Sequence, residues 1–153
     1  LLVLTILGVS SVQNTTMEER MAGNYRDRFT AFQAAEAALR RGEEDIADYA
    51  IFSAMDFEFN DTDGHYEVLK TVGSKDPLDG ANYALAVNIG TISGVTTAPA
   101  YFIERLPKVP LPKSSLVLGF QSKPKDVQYF RISGRGFGSS GKAEVVLQST
   151  YHR

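Results

Sequence analysis

The first nine positions, Leu1-Leu2-Val3-Leu4-Thr5-Ile6-Leu7-Gly8-Val9, are almost continuously apolar. A bilayer-spanning helix takes about 20 apolar residues, so this run alone is too short to cross. No small-residue cleavage site follows in residues 10–16, and the helical pattern continues beyond them. The run therefore reads as the downstream half of a truncated spanning helix, in preference to a buried core segment or a signal-peptide core. From Asn14 to Met55 apolar or small residues recur at Met17, Met21, Tyr25, Phe32, Ala35, Leu39, Ile46 and Ala50. Most of those steps are three, four or seven, which lays the residues along one helical stripe. The segment holds no Pro, and Ala31 to Leu39 is rich in Ala, the strongest helix former. Glu36 precedes Arg40 by four, the favourable order for a helix-surface ion pair. Gly23 and Gly42 each cost a helix about 1 kcal/mol; Gly42 is the candidate helix end and Gly23 a candidate melted turn.

After Asn60-Asp61-Thr62-Asp63-Gly64 the period changes to two. Tyr83 to Ile89 alternates large apolar with small or polar residues, as a half-buried strand does. Further strands are expected at Tyr66–Val72, Tyr101–Leu106, Leu116–Phe120, Val127–Ser133 and Ala143–Tyr151. Turn chemistry separates them at residues 73–77, 107–112, 122–125 and in a glycine loop, Gly134 to Gly141. The chain thus divides into the end of an apolar helix (1–13), an amphipathic helix (14–58) and a strand-rich head (59–153). Short loops between consecutive strands favour an antiparallel meander, and a helix followed by strands is an α+β fold with the helix on one sheet face.

Composition removes many chemistries. The chain of 153 residues has no Cys, so disulfides, thiol nucleophiles and cysteine-based metal sites are excluded, and only His65 and His152 offer imidazole. Net charge is −2, with no basic excess of the kind nucleic acid selects. That total conceals an asymmetry: residues 1–63 carry 12 acidic and 5 basic residues (−7), residues 64–153 carry 6 and 11 (+5). Such opposed fields steer association between copies or between different subunits.

Residues 136–141 fit G-x-G-x-x-G as a string, but a dinucleotide loop must open a helix, and here a strand follows. Residues 59–64 resemble part of a calcium loop; an EF-hand alignment puts Phe59 and Lys70 where ligands belong, which leaves Asp61 and Asp63 as candidates for a looser calcium site. An Asx-rich turn is the alternative. Neither His lies in a nucleophile motif, and G-x-S-x-G is absent. Glu43, Glu44, Asp45 and Asp48 spread over a wide helical arc, as a solvated face does. Lys108, Lys113, Lys123 and Lys125 sit in Pro-containing loops, where a DNA-contacting patch is the functional alternative to plain exposure. No residue is assigned a catalytic role, and no cofactor other than that calcium is foreseen.

Met17-Glu18-Glu19-Arg20-Met21-Ala22-Gly23-Asn24, Arg26-Asp27-Arg28 and Ala31 to Arg40 together resemble the amino-terminal region of the PilX family of type IV pilus minor pilins. The correspondence is dense over roughly residues 1–44, and Val145 to Tyr151 is similar to that family's last strand. The resemblance implies a pilin-like fold, a long amino-terminal helix packed on an antiparallel sheet. It also implies a cleaved leader and a subunit held in the inner membrane with a periplasmic head until it enters the fibre. Its implied partners are other minor pilins, the major pilin and a tip adhesin, in a complex that primes assembly and serves adhesion and twitching. A type II secretion pseudopilin shares the architecture and is the alternative. In this picture Leu1, Leu2, Val3, Leu4, Ile6, Leu7 and Val9 belong to the membrane or fibre core. Met17, Met21, Tyr25, Phe32, Ala35 and Leu39 divide between neighbouring helices and the subunit's own sheet, with Phe32 and Leu39 expected to pack inside the monomer.

Overall fold

A computed structural model describes residues 2–55, 57, 64–68, 75–83, 86–110 and 126–153. Helix α1 runs unbroken from Leu2 to Ala47, a length of about 69 Å at 1.5 Å per residue. Neither Gly23 nor Gly42 interrupts it. At Gly42 the reason is tertiary: a Cβ there would meet the Ile132 Cγ2 at 2.7 Å and the Tyr101 Cδ2 at 2.9 Å, so the missing side chain is the notch that receives the sheet. The helix ends where Asp48 turns extended (φ −72°, ψ 120°) and its carboxylate accepts the Ala50 N–H at 2.8 Å, capping a second helix, α2, Tyr49–Ala54.

The sheet contains β1 (His65–Glu67), β2 (Val87–Asn88), β3 (Ala100–Arg105), β6 (Tyr129–Phe137) and β7 (Glu144–His152). Strands β4 (Val109–Pro110) and β5 (Asp126–Val127) form a separate two-stranded ribbon. The main order is β1-β3-β6-β7, with β2 also pairing β3. The long pairs β3–β6 and β6–β7 are antiparallel, as expected. The short β1 departs from a pure meander by running parallel to β3, with His65 opposite Ile103.

Alternation along the strands builds two cores. On the helix side Tyr101, Ile103, Phe130 and Ile132 pack with Ala38, Ile46 and Phe57. Each such fully buried large side chain contributes about 1.5–3 kcal/mol. On the opposite face Phe102 gathers Tyr66, Tyr83, Ala86 and Ala100. Of the expected strand at Tyr83–Ile89, Tyr83 instead ends a single 3-10 turn, Gly80–Tyr83, that tucks its ring 5.1 Å from Phe102; Val87–Asn88 pairs as strand, and residues 84–85 lie outside the described residues. Of the expected Tyr66–Val72 strand, Tyr66 and Glu67 are formed, within a strand that begins at His65; residues 69–74 lie outside the described residues, as does the expected strand at 116–120.

The expected glycine loop is the larger correction. β6 continues through Gly134 and Gly136 to Phe137, and only residues 138–141 turn. A Cβ at Gly136 would stand 2.3 Å from the Ala35 nitrogen and 2.5 Å from the Ala31 oxygen; one at Gly134 would stand 2.9 Å from the Ala35 oxygen. These glycines exist because the helix backbone lies directly on the strand, with Ala31, Ala35 and Ala38 fully buried at the seam.

Candidate assembly face

Two polar contacts flank this seam. Toward the amino terminus, Asp27 accepts the Ser140 N–H at 2.8 Å, the Ser139 hydroxyl at 3.0 Å and the Ser140 hydroxyl, fastening the β6–β7 turn to the helix. The Ser140 hydroxyl and N–H hold the Asp27 carboxyl below the usual carboxylate range. Thr96 donates to the Gly138 carbonyl at 2.6 Å and ties a third segment to the same turn. Toward the carboxyl end of α1, the Tyr101 hydroxyl donates to Asp45, and Arg41 pairs with Asp45 at 3.1 Å. Burial, and then the Asp45 carboxylate, push the Tyr101 phenol above its ordinary range. Asp45 is only 6% exposed, so the acidic group Glu43-Glu44-Asp45-Asp48 is not a uniformly solvated face. Glu43 accepts from the Ser149 hydroxyl at 2.7 Å, Asp48 caps α2, and Glu44 is exposed.

Among the described residues, the sheet gives α1 little cover beyond Asp27. Helix positions 12–26 whose side chains are described are exposed, and an apolar ridge runs along them. Met17, Met21, Tyr25, Phe29 and Phe32 are all more than two-fifths exposed, with Tyr25 at 73%. Steps of four and three put them on adjoining helical angles, and Tyr25 and Phe29 stack with centroids 6.5 Å apart. Phe29 escaped the sequence stripe because Phe32 already satisfied the seven-residue step from Tyr25. Of the six expected face residues, Ala35 is fully buried under the sheet and Leu39 is half-buried with its backbone against Gly134. Phe32, expected inside the monomer, is 43% exposed: Ala31, Ala34, Ala35 and Ala38 fill the sheet side, leaving Phe32 on the flank. Leu2, Val3 and Val12 are exposed as well, and Leu1 and the side chains of Leu4, Ile6, Leu7 and Val9 lie outside the described residues. No helix among the described residues is long and apolar enough to cross a membrane.

The other candidates do not converge on chemistry. His65 is buried with its ring 5.6 Å from Phe57, and His152 is exposed beside Tyr129 and Tyr151. An apolar cleft of about 540 Å³ lies between α2 and the sheet, lined by residues including Ile51, Met55, His65, Val87 and Tyr101, and its tyrosine hydroxyl is committed to Asp45. Among the described residues no group of three or more His, Asp or Glu could hold a metal. Asp61 and Asp63 lie outside the described residues, as do Lys113, Lys123 and Lys125, while Lys108 is exposed.

Residues 1–40 match a family model, PilX N-terminal. The matched span is the overhanging part of α1 together with the start of the alanine seam. It agrees with the resemblance carried by residues 17–40 and relates the chain to the pilin-type structural subunits of type IV pili. No curated protein matches the chain, and no solved structure does.

Proposed function

We propose that this chain, with its PilX amino-terminal segment, is a non-catalytic minor pilin that takes part in the tip complex priming type IV pilus assembly. The observation that carries the reading is the overhang: α1 leaves the sheet at Asp27 and exposes an apolar ridge along the preceding residues. An isolated helix gains nothing by presenting Met17, Met21, Tyr25 and Phe29 to water, and a bundle of similar helices removes that surface from solvent. The fixed head and projecting helix suit a subunit inserted into such a bundle. The role is templated association with other minor pilins, the major pilin and a tip adhesin. It places the helix in the inner membrane before assembly and in the fibre afterwards, and it requires no cofactor. The PilX match over residues 1–40 favours a pilus over a secretion pseudopilus.

The test is a chromosomal deletion complemented by wild type, Tyr25→Ala or Phe32→Ala. Loss of surface pili on deletion, rescue by wild type and reduced rescue by the two variants are expected. Normal piliation in the deletion strain would remove the priming role.

A further inference from the structure

The outer edge of the sheet is β7, a nine-residue strand whose register with β6 is continuous from Tyr129–His152 to Phe137–Glu144. Gln128 and Arg153 exchange both backbone hydrogen bonds, at 3.2 and 3.0 Å, and at the other end Gly138 donates to Ala143 at 2.9 Å. Antiparallel ladders alternate, so Val145, Leu147, Ser149 and Tyr151 turn their N–H and C=O toward β6. Glu144, Val146, Gln148, Thr150 and His152 then turn theirs outward. Among the described residues no backbone group pairs with that edge. Natural sheets blunt exposed edges with Pro, Lys, bulges or short strands. β7 has none of these devices.

We propose that the outer edge of β7 accepts an extended segment of another pilus subunit as an added strand; this rests on the assembly role proposed above. Five alternate residues with outward N–H and C=O groups match an extended backbone and not a helix or a compact surface. The side chains along the edge define the occupant further. Glu144 is already paired with Arg135 at 2.7 Å, and Arg153 donates to the Ile46 carbonyl and lies over the Phe52 ring, which leaves the neutral run Val146, Gln148 and Thr150 to meet an added strand. The complementary segment is uncharged there and β-branched or amide-bearing. Its alternate side chains cover the half-buried Val145 and Leu147, which the register sets at the level of Ala31 to Leu39. A second copy could pair antiparallel about Gln148, opposing Glu144 to His152, but it would point its α1 the opposite way. Subunits that share one membrane and one fibre keep their helices parallel, so the occupant is a different subunit.

The experiment uses the full chain in detergent and residue-resolved amide hydrogen exchange, with each purified subunit of the same pilus added in turn. Alone, the amides of Val146, Gln148 and Thr150 exchange faster than those of Leu147 and Ser149. One subunit is expected to slow those three by at least about tenfold, leaving Leu147 and Ser149 unchanged. Val146→Pro removes an outward donor without touching the bonds to β6, and it abolishes that slowing and the binding. Thr150→Lys, which keeps the backbone intact, does the same and decides the matter should the proline variant fail to fold. A subunit that binds without slowing the three amides overturns strand addition and leaves the pilus reading standing. Slowing that grows with the chain's own concentration, without any added subunit, assigns the edge to a second copy and overturns the proposal. If no subunit binds and deletion leaves piliation normal, the pilus reading falls and the proposal with it.

Discussion

Gly136→Ala adds one methyl group to a strand, where Ala is ordinarily preferred because Gly loses more freedom on folding. Here the methyl would stand 2.3 Å from the Ala35 nitrogen, 2.5 Å from the Ala31 oxygen and 2.8 Å from the Ala34 carbonyl carbon. All three are helix backbone, which cannot rotate aside as a side-chain end can. Restoring an ordinary contact of about 3.5 Å requires α1 to lift by roughly 1 Å. That lift opens the seam at Ala31 and Ala35, both fully buried. Overpacking costs typically about 1–3 kcal/mol, and a backbone-to-backbone seam belongs at the upper end. For a chain of this size about 3 kcal/mol corresponds to a fall in Tm of roughly 6–12 °C. The assay is thermal unfolding of the purified chain followed by near-ultraviolet circular dichroism, which reports the packed tyrosines. Gly23→Ala is the control: a Cβ there meets nothing within 4 Å. The same methyl then favours the helix by about 1 kcal/mol and leaves the head's melting unimpaired. A Gly136→Ala protein melting with wild type would refute the argument that the glycines serve close helix approach.

The Asp27 contact gives a pH dependence of definite sign. Its folded pKa is depressed, so its contribution is present above the unfolded value of about 3.9 and is lost as pH falls through the folded one. The Ser140 amide proton resonance should move as acid is added below about pH 4, and Asp27→Asn should abolish that movement. Burial pushes the Tyr83 phenol up to about 12, and among the described residues its hydroxyl has no hydrogen-bond partner. Stability from that group is complete below the unfolded value of about 10 and is lost as pH rises through the folded value. Tyr83→Phe should therefore cost less than about 0.5 kcal/mol in urea titration at pH 7 and remove one late step from the phenolate absorbance titration. Tyr101→Phe withdraws the donor from buried Asp45 and should destabilise by about 1–3 kcal/mol, measured by urea unfolding. Phe32→Ala, on the exposed flank, should leave urea stability within about 0.5 kcal/mol while weakening capture of other minor pilins.

The helix, the α+β plan and the long strands were legible because each rests on a local period. The alanines of residues 31–38 and the alternation of residues 143–151 survive any tertiary arrangement. What escaped prediction depends on distant pairs. Gly42 reads as a helix end until Tyr101 and Ile132 are seen to occupy its missing side chain, and Gly136 reads as loop until the helix backbone is seen above it. Tyr83 alternates like a strand residue, yet its ring is held by Phe102, nineteen positions away. Asp45 counted as one more surface acid because nothing local announces its tyrosine partner, 56 residues on. The assembly stripe was partly legible: its step pattern located Met17, Met21 and Tyr25, but periodicity cannot say which flank of a helix the sheet will cover, and so misplaced Phe32.

The seam between α1 and β6 has a mechanical consequence. From Ala31 to Ala38 it meets Gly134 and Gly136 as one smooth surface against another, with little interdigitation to resist sliding along the helix axis. Asp27 with Ser139 and Ser140 at one end, and Asp45 with Tyr101 at the other, are the stops. They lie 18 residues apart on α1, about 27 Å. A pull along the helix would load this joint in shear, with the tension carried by the Asp27 latch at one end and, at the other, by Asp45 with Tyr101, Glu43 with Ser149, Arg153 on the Ile46 carbonyl and the Gly42 notch that Ile132 fills. The glycines that let helix and sheet approach so closely also leave the joint's grip at its two ends.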